Sequence, residues 1–191
     1  LLIDTSDVLP ASIDDAVFDF YGKTLSGQEE QRERWKRGVD AVENSVGEAV
    51  GKVYAARYFP AENKAAMDQL VANLRVALSG NLESLDWMGA ATKAEAEAKL
   101  NLFTPKIGYP EKFETYDSLV VSDDAFANHM AVNAWAYQDM LSDLGQPIDR
   151  TEWGMLPQTV NAYYSPNRNE IVFPAAILQP PFFNLSADPA V

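Results

Sequence analysis

One proline, Pro60, limits what this chain can become more than any other residue. Before it, over residues 28–58, apolar side chains recur at helical spacing: Trp35, Val39, Val42, Val46, Val50, Val53 and Tyr54. After it, a second stripe of Met67, Leu70, Val71, Leu74 and Leu78 runs to about residue 85. Proline lacks an N–H and its ring clashes with the preceding turn, so the first helix must stop there. The break is too short for a domain linker, and two long helices so joined are expected to fold back as an antiparallel pair.

Three further helices are predicted. Residues 12–25 carry Ile13, Val17, Phe20, Tyr21 and Leu25 on one face, with Ser12 and Asp15 resembling a capping box. Residues 92–100 open on a second such box, Thr92 with Glu95. Residues 123–144 place Phe126, Met130, Asn133, Tyr137, Leu141 and Leu144 together, and Gly145 and Pro147 follow in the order that ends a helix. The prolines at 105 and 110 make residues 104–110 irregular. Beyond residue 147 the period changes: residues 159–164 are β-prone, residues 165–169 read as a turn, and Ile171, Val172 and Phe173 form an apolar strand. The expected architecture is therefore mainly α with a C-terminal β-hairpin. A two-stranded hairpin is marginal by itself. Residues 171–183 are strongly apolar with little chain left to cover them, so more sheet, or a partner, is expected C-terminal to Val191. The first residue is Leu rather than Met, and the chain reads as cut from something longer.

Composition removes several function classes. The 191 residues are 47% hydrophobic and 23% charged, the balance of a globular protein. Net charge is −13, and the basic cluster Arg32, Arg34, Lys36 and Arg37 is interleaved with Glu29, Glu30 and Glu33 as a solvated ion-pair face. Such a surface argues against nucleic acid and against anionic membranes. With no cysteine there is no disulfide, thiolate nucleophile or cysteine zinc site. No apolar run approaches the ~18 residues that a transmembrane helix needs.

Candidate chemistry is sparse. His129, the one histidine, lies in Asn128-His129-Met130, which is no H-E-x-x-H, and reads as a surface or helix-packing residue. The carboxylate pairs Asp14-Asp15, Glu29-Glu30 and Asp123-Asp124 sit near helix starts or on polar faces, where the helix dipole accounts for them. Asn161 stands out because asparagine is disfavoured in strands. Two readings stay open: it starts or caps a turn, or it lies on an edge strand whose free backbone groups pair with an extended peptide.

Val160-Asn161-Ala162-Tyr163-Tyr164-Ser165-Pro166, Asn169, Ile171-Val172-Phe173-Pro174-Ala175 and Ile177-Leu178-Gln179-Pro180-Pro181-Phe182-Phe183 together resemble a signature of the neprilysin/endothelin-converting-enzyme family of zinc metallopeptidases. Leu85-Asp86-Trp87-Met88, Thr92-Lys93, Ile107-Gly108-Tyr109-Pro110, Asp149-Arg150 and Trp153 add to the likeness. The resemblance implies a two-lobed, zinc-dependent endopeptidase acting on small peptides in a closed chamber. Residues 1–115 would belong to the helical chamber wall and residues 116–191 would begin a thermolysin-like catalytic lobe. Asn161 and Ala162 would hold the substrate backbone, and Ile177 would line the pocket for the residue after the scissile bond. The family's H-E-x-x-H helix would start shortly after Val191. The chain then carries no catalytic residue and no zinc ligand of its own, and is expected to be inactive without the rest of the catalytic domain, its intramolecular partner. Lack of cysteine (Gly38 stands near a position that is cysteine in animal members) suggests a bacterial relative. Family habit favours a periplasmic, secreted or membrane-anchored extracytoplasmic location. The competing expectation is a non-catalytic helical module that captures an extended peptide by β-addition.

Overall fold

A computed structural model describes residues 3–188. After a short 3-10 turn at Ser6–Val8 come α1 (Ala11–Val17), which continues as a wider π-helical stretch over Phe18–Leu25, then α2 (Arg34–Tyr58), α3 (Ala61–Ser84), α4 (Ala90–Asn101), β1 (Thr104–Gly108), α5 (Ala125–Ser142), β2 (Tyr163–Ser165) and β3 (Glu170–Pro174). The chain divides into two compact units, residues 1–49 with 114–148 and residues 50–113 with 149–191.

In the first unit, Arg37 on α2 pairs with Asp14 of α1 at 2.7 Å, a half-buried bond that ties the N-terminal helix to α2. Glu48 accepts the backbone N–H of Glu114 at 2.7 Å, and Tyr116 stacks obliquely on Trp135 of α5. Burial raises the Tyr116 hydroxyl above its ordinary pKa, against a smaller opposing effect of the backbone at Glu48. α5 begins on Asp124, whose carboxylate accepts the Ala127 N–H at 3.0 Å. The two capping boxes expected at Ser12 and Thr92 do not form. These helices start earlier, on Pro10 and Gly89, without a side-chain cap, which leaves Ser12 and Thr92 inside the first turn.

α2 corrects the apolar-stripe expectation. Trp35 is 64% exposed, and Val39, Val42 and Val53 are exposed too. The buried face is Gly47, Gly51, Ala55 and Phe59, spaced at i, i+4. Small residues there let other segments approach the helix backbone closely. Val46 has non-helical φ/ψ and kinks the helix.

The second unit holds the sheet, ordered β1-β3-β2. β2 and β3 form the expected antiparallel hairpin, Tyr163 opposite Val172 and Ser165 opposite Glu170. A third strand comes from residues 104–108, which were expected to be irregular. β1 runs parallel to β3, with Thr104 opposite Glu170 and Gly108 opposite Pro174. Pro105 is tolerated because β1 is an edge strand, where a missing N–H costs little. Ile107, Phe59, Met67, Ala175 and Leu178 form the core, with Tyr54, Val71, Phe173, Ile177 and Phe183 packed on it. Much of the apolar tail is thus covered by α2, α3 and β1 of this chain, although Phe182 is 72% exposed. Gly108 has φ +81°, and a Cβ there would lie 2.5 Å from the Phe59 ring, so only glycine fits.

Opposite that core, β1 and β3 bury a charge pair. Lys106 Nζ lies 2.8 Å from Glu170 Oε2, with side chains 7% and 2% exposed. The same ammonium donates to the Glu152 carbonyl, which satisfies a second of its protons.

Candidate functional site

The hairpin's N-terminal approach is built by local hydrogen bonds. Thr159 N–H donates to Leu156 O at 2.9 Å and Asn161 N–H to Thr159 O at 3.1 Å, so residues 156–161 turn instead of extending. Regular pairing starts only at Tyr163. Asn161 therefore lies two residues before β2 and outside the strand, on the turn side of the two placements left open by the sequence. The physical reason is the short side-chain amide: Asn161 Oδ1 accepts the N–H of Ala162 at 2.8 Å and competes with a ladder bond. Asn161 is exposed and Ala162 half-buried. Among the described residues β2 is an edge strand, paired with β3 alone.

The turn of the hairpin is fixed by Asn169 at φ +51°, whose side-chain amide donates to Lys99 O at 2.8 Å while its Oδ1 accepts from the Tyr164 hydroxyl at 3.2 Å. Asparagine is one of the few side chains that tolerates this left-handed backbone. On the buried-pair face, the Tyr163 hydroxyl accepts the Gly154 N–H at 2.8 Å. An open cleft of about 360 Å³ lies there, lined by Glu152, Trp153, Met155, Tyr163, Ser165 and Arg168. Arg168 reaches Glu152 at 3.3 Å. Nearby, Asp149 accepts both the N–H and the hydroxyl of Thr151, which together hold its carboxyl below its ordinary pKa.

Ile177 follows β3 in residues 175–179, half-buried against the core. This segment is pinned at its start: Ala175 N–H donates to Gly108 O at 2.7 Å and Ala176 N–H to Pro157 O at 2.9 Å. The second bond joins the segment carrying Ile177 to the segment leading into Asn161 and Ala162. Pro157 in turn seats on α2, where a Cβ at Gly51 would lie 2.6 Å from its Cδ. Gly51 thus sets how closely this part of the chain approaches the helix, a role the apolar-stripe reading did not reveal. The buried Lys106–Glu170 pair was also missed, although a lysine between Pro105 and Ile107 is the signal that could have found it.

His129 is half-buried on α5, with its Nε2 2.8 Å from the Asn133 amide one turn on, and joins none of the residues above. Among the described residues no group of three or more His, Asp or Glu side chains is placed to hold a metal ion. No helix among them is long and apolar enough to cross a membrane.

Comparison with known proteins extends this picture. The N-terminal model of Peptidase family M13 matches residues 1–110, and the family's peptidase model matches residues 161–191. Neprilysin-3 of Drosophila melanogaster is 38% identical over 172 residues, 86% of this chain and 22% of that protein. An endothelin-converting enzyme homolog of Locusta migratoria is 36% identical over 171 residues, 85% of this chain and 24% of that protein. The open-state structure of Mycobacterium tuberculosis zinc metalloprotease Zmp1 superposes with a TM-score of 0.91 at 48% identity, covering 99% of this chain and 29% of that one. The chain therefore spans about a quarter of the length of these relatives. It belongs to peptidase family M13, the neprilysin/endothelin-converting-enzyme family.

Proposed function

We propose that the chain supplies the substrate-binding segment of a zinc-dependent endopeptidase acting on small peptides, while the metal and the general base come from residues outside it. The observation that carries this reading is the placement of Asn161 and Ala162. They lie exposed and half-buried at the entrance to edge strand β2, on a loop braced to both Ile177's segment and α2. An amide side chain there offers both a donor and an acceptor to a peptide backbone. Its Oδ1 holds the Ala162 N–H in the free state, so peptide engagement exchanges an internal hydrogen bond for an intermolecular one, while the amide NH₂ stays available to a substrate carbonyl. Ile177 lines the pocket for the residue after the scissile bond, residues 1–115 form chamber wall, and residues 116–191 begin the catalytic lobe.

Two samples test the division of labour: the 191-residue chain and the complete protein, each assayed for bound zinc and for chelator-sensitive peptide hydrolysis. The complete protein is expected to hold zinc and cleave, and the chain alone to do neither. Chelator-sensitive cleavage by the chain alone would overturn the assignment of the metal to other residues. Peptide binding by a complete protein that holds no zinc would replace the peptidase reading with capture by β-addition.

A further inference from the structure

We propose that Gln179 is a positioning residue that sets the shape of the pocket lined by Ile177. Its side-chain Nε2 donates to two backbone carbonyls, Tyr58 O at 3.0 Å and Ala175 O at 3.3 Å. The first belongs to the last residue of α2, immediately before the core residue Phe59. The second lies two residues before Ile177. Gln179's own carbonyl accepts the N–H groups of Phe182 at 2.9 Å and Phe183 at 3.1 Å. One residue thus ties the loop on both sides of Ile177 to the end of α2. A carbonyl at a helix C-terminus has no intrahelical partner, so the amide also satisfies a group that would otherwise face outward. The bonds through Ala175 and Ala176 hold the loop's start and the core holds Leu178, so Gln179 fixes the far end of the stretch from 177 to 179. A pocket discriminates side chains by how closely its wall follows them, and a small displacement of that wall changes selectivity before it changes chemistry.

The inference rests on the reading of Ile177 as a pocket residue, and its test separates the two. In the complete protein, kcat/KM is measured for two peptides identical except for Phe or Ala after the scissile bond. Gln179→Met keeps length and loses both donors; the Phe-to-Ala ratio is expected to change by about fivefold or more. Gln179→Lys restores a donor and is expected to bring the ratio back toward the parent. Should the methionine variant not fold, Gln179→Asn, which retracts the amide by one carbon, is judged on the same ratio. If Ile177→Ala changes the ratio and neither Gln179 variant does, or both peptides slow in parallel, Gln179 is only structural and the proposal falls. An unchanged ratio in Ile177→Ala instead removes the pocket assignment, and this inference with it.

Discussion

Glu170→Leu is expected to lower the unfolding free energy by about 3–5 kcal/mol, the scale for stranding one charge of a buried pair. The carboxylate is 2% exposed and sits 2.8 Å from Lys106, itself 7% exposed. Once Glu170 is gone, the buried ammonium keeps the Glu152 carbonyl but loses the carboxylate in direct contact with it. Lys106→Met should cost a similar amount for the mirror reason. The double variant is the decisive arm. Removing both charges together leaves an apolar face between β1 and β3, and such replacements are often neutral. A urea-unfolding cycle should therefore show strong non-additivity, with the double variant more stable than either single one. Simple addition of the two losses would mean that the pair is not coupled as its geometry indicates.

Phe59→Ala is expected to cost about 3–5 kcal/mol, the range for emptying a fully buried aromatic site. Phe59 closes α2 through its N–H to Ala55 O, precedes the proline that starts α3, and packs its ring on the bare Cα of Gly108. It also meets Tyr109 edge-on at 6.3 Å. The joint between α2, α3 and β1 is thus one aromatic ring. Gly108→Ala tests the same contact from the other side. In the parent it combines a steric clash with a left-handed backbone; in the Phe59→Ala background the clash disappears and only the backbone cost of roughly 1–2 kcal/mol remains. Urea midpoints of the two singles and the double measure this, and equal costs of Gly108→Ala in both backgrounds would contradict the packing.

The break between α2 and α3 at Pro60 and the β2–β3 hairpin were legible because each depends on neighbours close in sequence. β1 was not. Pro105 and Lys106 interrupt its apolar pattern, and its partner lies 66 residues later, Thr104 against Glu170, where no local rule reaches. Small residues misled the reading of α2 in the opposite way: hydrophobicity marks Trp35 and Val39, whereas close approach selects Gly51 and Ala55. For the site, local chemistry went only as far as naming Asn161 as unusual. It could not tell turn from strand, because the deciding bonds are Thr159 to Leu156 and Asn161 to its own neighbour Ala162. The roles assigned to Ala162 and Ile177 came from family resemblance alone, since an alanine and an isoleucine carry no chemical mark.

Asn161→Ala in the complete protein tests most directly the proposal that the approach to β2 holds a peptide backbone. The side chain is exposed and makes its hydrogen bond to an adjacent residue, so its removal should leave the urea midpoint nearly unchanged. kcat/KM for peptide hydrolysis should fall by about fivefold or more, the equivalent of ~1 kcal/mol of lost transition-state binding. An unchanged kcat/KM in a folded variant would show that Asn161 only shapes the turn, and that substrate is held elsewhere.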